Sequence, residues 1–143
     1  MQLLLLTGLV TVEKIDLTRQ LAAHFTANGE RVAVLDNISR LHIDPNDLPS
    51  AVIYQRINRP LDFAADLSNL QVDRVLLALS ETAEPDHTFT TLLDLPPGVA
   101  VTTLALIDTR TCDCFPAMRA TLEDYADLTV NLPYVIEDVI AKL

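Results

Sequence analysis

Apolar and polar positions along this chain fall into blocks of two kinds. Residues 3–6, 32–35, 75–79 and 99–107 are short runs apolar or nearly so on both parities, the pattern of strands covered on both faces of a parallel sheet. Residues 12–28 carry Leu17, Leu21 and Phe25 at helical spacing, flanked by Ile15 and Ala22, and Gly29 supplies a left-handed stop. The weaker blocks predict a strand over 51–57, a helix over 61–70 and a short helix or irregular crossover over 87–93. A helix over 115–125 with Pro116 in its first turn, a last strand over 127–132 and a closing helix over 133–143 complete the chain. Residues 37–50, with Pro45 and Pro49, read as loop. Alternating strands and helices build βαβ units, so the expected fold is one domain over 1–143, a three-layer α/β/α arrangement around a mainly parallel sheet.

Ligands of such sheets lie beyond the carboxyl ends of the strands. Those ends are expected at Thr7-Gly8, Asp36-Asn37, residues 80–84 and residues 108–114.

Composition narrows the picture. Half the residues are hydrophobic but only 5% are aromatic, which favours aliphatic helix-on-sheet packing. A formal charge of −10 argues against a nucleic-acid or anionic-membrane surface, since both need a basic patch. No apolar run approaches the roughly twenty residues of a spanning helix. Residues 3–6 have no basic lead-in and no small-residue cleavage site, so they do not read as a signal peptide. Two cysteines make no disulfide framework. A soluble, cytoplasmic chain is expected.

The turn after the first strand holds the most suggestive chemistry. Gly8-Leu9-Val10-Thr11-Val12-Glu13-Lys14-Ile15 matches G-x-x-x-x-G-K-[ST] at its first glycine and its lysine. The second glycine is replaced by Glu13, and the magnesium-binding hydroxyl by Ile15. In a working loop, successive N–H groups and a helix N-terminus face the phosphates, and lysine adds a point charge. Glu13 would repel a triphosphate there, and Ile15 cannot ligate a metal. Only two lysines occur in the chain, Lys14 and Lys142, and one sits on the motif position. The expectation is a Glu13 carboxylate folded onto Lys14 as a built-in substitute for phosphate. Gly8, Glu13, Lys14, Ile15 and Asp36 then outline a vestigial phosphate-loop edge, with at most weak nucleotide or anion binding.

Residues 2–37, as strand, loop, helix and short strand, resemble the opening of the CobW-like metallochaperone GTPases, relatives of UreG and HypB in the SIMIBI class of P-loop proteins. VDRVLLALSETAEP, residues 72–85, is similar to that family's second nucleotide motif, and residues 101–108 resemble the next strand with its terminal aspartate. Ala126-Asp127 followed by Asn131 resembles the approach to the guanine-reading Asn-Lys-x-Asp segment. The resemblance implies a P-loop NTPase-like fold, but the chain departs from it where function resides. Anchored on Pro85, the family's acidic residue falls on Ala78 and its glycine on Glu81. The guanine site reads Asn131-Leu132-Pro133-Tyr134, and residues 39–80 contain no cysteine for the family's metal motif. The implied function is a non-hydrolysing pseudo-GTPase-like scaffold or regulatory domain that binds a protein partner or a second copy of itself. Two readings compete with it. One is a weak nucleotide-dependent switch or NTPase, with Lys14 and backbone amides holding phosphate and Asp36 or Asp108 ligating a metal.

The other is a metal carrier or sensor in which Cys112 and Cys114 share zinc. Two thiolates need two further ligands, for which His87, Glu84, Asp108 and Asp113 are in the neighbourhood; the competing reading is a pair of inert helix-start thiols. His24 reads as a surface residue and His42 as a solvated loop residue. Glu81 and Glu84 could be paired carboxylates, yet no nucleophile–base–orienter set accompanies them.

Overall fold

The computed structural model describes the backbone of residues 1–143 and every side chain except that of Cys112. Six strands, β1 (Gln2–Thr7), β2 (Val32–Asp36), β3 (Ile53–Arg56), β4 (Arg74–Ala78), β5 (Ala100–Ile107) and β6 (Leu128–Asn131), form one sheet in the order β3-β2-β4-β1-β5-β6. Every pairing is parallel. Six α-helices connect or follow them: α1 (Val12–Ala27), α2 (Phe63–Ser68), α3 (Pro85–Thr91), α4 (Thr109–Asp113), α5 (Pro116–Tyr125) and α6 (Ile136–Ile140).

Side-chain alternation splits the core into two layers. Leu4, Leu6, Val34, Leu76, Leu104 and Leu106 face α1, whose Leu17, Leu21, Ala22 and Phe25 are buried against them, with Val139 of α6 alongside. On the opposite face Leu3, Leu5, Leu35, Val75 and Leu77 meet Phe63 and Leu67 of α2. Ala105 and Ile107 cover Leu122 of α5. Double coverage is what made the central strands read as unbroken apolar runs.

The boundaries differ from expectation where polar chemistry intervenes. Residues 109–113 form a separate short helix before α5, because the Asp108 carboxylate accepts from the Arg110 N–H at 2.9 Å and the Thr111 hydroxyl at 3.1 Å. The closing helix is only Ile136–Ile140, because Val135 before it holds an extended backbone. Residues 37–50 are loop apart from a 3-10 turn at Pro45–Asp47, which the Asp44 side chain caps through Asn46 N–H.

From β1 the chain runs outward through β2 to β3, returns to β4, then passes β1 to reach β5 and β6 on the other side. The order therefore reverses around β1, and the crevice at its carboxyl end is the topological switch point of the sheet. Gly8 leaves that point with φ of 131°. A Cβ there would lie 2.4 Å from the Leu106 carbonyl oxygen, so the backbone of the turn lies directly against β5. Gly29, at φ 83°, has open space around it.

These two glycines separate strain from collision. Gly8→Ala should lower unfolding free energy by about 4 kcal/mol or abolish folding, whereas Gly29→Ala should cost only about 1–2 kcal/mol. Urea unfolding midpoints of the two variants check the ranking; equal midpoints would refute it.

Candidate functional site

The buried stripe of α1 begins one turn earlier than its aliphatic residues suggest. Lys14, Leu17, Thr18, Leu21, Ala22 and Phe25 share one face, and Lys14 is 0% exposed. Its ammonium does not meet Glu13. It donates to the Gly8 carbonyl at 2.8 Å and to the Leu79 carbonyl at 2.8 Å, joining the turn after β1 to the chain just beyond β4. Burial depresses the lysine to about 8, offset in part by the negative charge of Glu81.

The expected Glu13–Lys14 clasp is therefore corrected. Glu13 is exposed in the first turn of α1, where a carboxylate is favoured by the positive end of the helix dipole. The nearest acceptors for a lysine pointing inward are backbone carbonyls, and a side chain that starts on the outer face cannot reach it. Ile15 is partly buried and packs against the α1-side core. Gly8 is required by its approach to Leu106.

Asp36 is also corrected, from a metal-ligand candidate to a structural centre. It is 0% exposed, and its two oxygens accept four hydrogen bonds. Oδ1 takes Ile38 N–H at 3.0 Å and Arg56 Nη1 at 2.7 Å; Oδ2 takes Ile43 N–H at 2.7 Å and the Tyr54 hydroxyl at 2.9 Å. A carboxylate offers about four acceptor positions, and all are filled. Burial first, and the Asp36 hydrogen bond second, push Tyr54 up to about 12.

Glu81 fixes the same loop from the other side. Its carboxylate accepts from Ser39 N–H at 3.2 Å, Ser39 hydroxyl at 2.8 Å and Arg40 N–H at 3.0 Å. Burial pushes its carboxyl up, but these hydrogen bonds and one from its own backbone bring it below the usual range. Glu84, by contrast, is exposed at the start of α3. The two glutamates occupy different environments and do not form an acid/base pair.

Asp108 lies at the mouth of the same edge, held below the usual carboxylate range chiefly by the Arg110 N–H. Cys114 is exposed and its thiol faces the Arg110 carbonyl at 3.7 Å. The side chain of Cys112 lies outside the described residues. Among those described, no three His, Cys, Asp or Glu side chains gather as a metal would require. His24 lies beside Asn28, 3.0 Å apart, and His42 is exposed.

The sequence reading missed Tyr54, Arg56 and Ser39. The signal for the first two was present. Positions 54 and 56 share one face of a strand, and Arg56 is the register partner of Asp36. Ser39 has no comparable cue, because its position depends on how a loop folds back on Glu81.

No protein-family model matches the sequence, and neither a curated protein nor a solved structure matches the chain. The chemistry of the edge itself thus carries the functional reading. A lysine near 8 when folded and 10.5 when unfolded binds fewer protons in the folded state between those values. Stability should therefore rise with pH across that window, by up to about 3 kcal/mol for this group. Comparing unfolding free energies of wild type and Lys14→Met from pH 7.5 to about 9, below the tyrosine range, checks it. Parallel pH profiles would show that the amine is not desolvated.

Proposed function

We propose that this chain is a non-hydrolysing, P-loop-like domain that serves as a binding or regulatory scaffold for a protein partner. The observation that carries the reading is the position of the Lys14 ammonium, sunk below the surface and held by two carbonyls at the ends of β1 and β4. In phosphate loops this lysine serves the phosphates. Here it would first have to leave two charge-assisted hydrogen bonds, each worth about 1.5–3 kcal/mol.

The remaining positions support the same conclusion. Ile15 offers no oxygen to magnesium, the Asp36 oxygens are saturated, and Glu81 is committed to residues 39–40. The residues present do not fit a magnesium–triphosphate group, and no hydrolytic step is derived through one. The reversal of strand order around β1 and the resemblance to CobW-like GTPases support descent from a nucleotide-binding architecture. The scaffold is what such a domain retains once its ligand edge is closed by its own side chains.

Equilibrium binding of fluorescent GTP and ATP analogues with magnesium tests this directly. Wild type is expected to show no saturable binding and no phosphate release. Magnesium-dependent saturable binding that disappears in a folded Lys14→Ala variant would overturn the reading.

A further inference from the structure

A groove of about 760 Å³ lies between the first half of α1 and the connection from β6 to α6. Its lining is chemically one-sided. Glu13, Asp16, Asp108 and Glu137 bring four carboxylates to it, against the single guanidinium of Arg110. Arg110 is itself directed at Asp108, with Nε 3.8 Å from Oδ1. Apolar surface lies among these charges, contributed by Leu132, Pro133, Val135 and Ile136, and Val135 is 56% exposed.

One wall is fixed by side chains. The Tyr134 hydroxyl donates to Asp16 at 3.2 Å and accepts from Gln20 Nε2 at 2.9 Å, while Gln20 also donates to Asp16 at 2.9 Å. This triangle ties α1 to the β6–α6 connection across the groove. Burial, followed by the charge of Asp16 and its hydrogen bond, holds the phenol well above its ordinary value, so it remains a neutral donor.

A second feature adjoins the first. β6 ends the sheet, so one side of it has no neighbouring strand. All four of its residues line a smaller groove of about 200 Å³, which shares Pro133, Tyr134 and Val135 with the larger one. An unpaired strand edge accepts an extended chain through main-chain hydrogen bonds, with alternate side chains giving specificity.

Taken with the scaffold reading, on which this step rests, we propose that the joined grooves take a basic, extended segment of a protein partner. Its backbone lies along β6. Arginine or lysine side chains enter the carboxylate-lined groove with their aliphatic stems over Pro133 and Val135, and the residues between them point to the opposite face of the strand. Charge selects the occupant: a free anion or acidic peptide would meet four carboxylates, whereas a cationic side chain with an aliphatic stem matches both the charges and the apolar floor. The strand edge favours a peptide over a free polyamine, which has no amide groups to pair.

The probe is a fluorescein-labelled peptide of four Arg-Val repeats, titrated with the full chain and followed by anisotropy. Glu13→Gln/Glu137→Gln removes two of the four carboxylate charges that line the groove. Asp94→Asn/Asp124→Asn removes two exposed charges elsewhere. Saturable binding should weaken at least tenfold in the first double variant and change less than twofold in the second. Equal weakening in both would reduce the effect to net charge and overturn the proposal, as would absence of saturable binding by wild type at low salt. Spermine competing as tightly as the peptide would overturn the peptide assignment in favour of a small cation. The nucleotide titration is independent: triphosphate binding beside retained peptide binding would defeat the scaffold reading and leave the groove standing.

Discussion

An ammonium held by two main-chain carbonyls at the centre of the sheet's carboxyl edge is the contact on which the rest of this structure depends. Lys14 reaches Gly8 and Leu79 from the first turn of α1 and so fixes the distance between that helix, the turn after β1 and the end of β4. Desolvating an amine is costly, and the carbonyl pair together with the charge of Glu81 offsets that cost only in part. Buried charges of this kind are weak devices for stability. They are better at enforcing one arrangement, because any other leaves the charge without partners.

Two acids extend the closure outward. Asp36 organises the backbone after β2 and draws Tyr54 and Arg56 of β3 toward it, while Glu81 holds Ser39 and Arg40 from beyond β4. Loop N–H groups that could have faced a ligand thus point inward to carboxylates. Satisfied internal networks rigidify a region. The open, charged surface of the molecule lies instead to one side, where α1 faces the β6–α6 connection.

Much of the architecture was legible in the sequence because burial on both faces leaves a plain mark. The runs at β1, β2, β4 and β5 identified a covered parallel sheet, and the spacing of Leu17, Leu21 and Phe25 identified α1. Short elements were less readable: α4 exists because Asp108 caps it, and α6 begins only after the extended Val135, so neither has a long apolar stripe to announce it. At the site, motif spacing found Gly8 and Lys14 but misassigned their partners. Extending the stripe of Leu17, Leu21 and Phe25 back at about 100° per residue puts Lys14 about 20° from its centre and Glu13 about 80° to one side. Motif matching attended to residue type, whereas the packing depends on angle. Asp36 was located on the correct edge but given the wrong task, since four donors converge on it from residues as far apart in the chain as Ile38 and Arg56.

The burial of Lys14 has a practical corollary. Of the chain's two lysines, Lys142 is exposed close to the carboxyl terminus and Lys14 is sealed. Burial alone brings that amine down to about 8; uncovered, it returns to 10.5 and reacts as any exposed lysine does. Acylation at residue 14 would then be metered by how often this part of the molecule breathes. The protein thereby carries a slow clock at its centre and a fast one at its tail, readable against each other in a single mass spectrum.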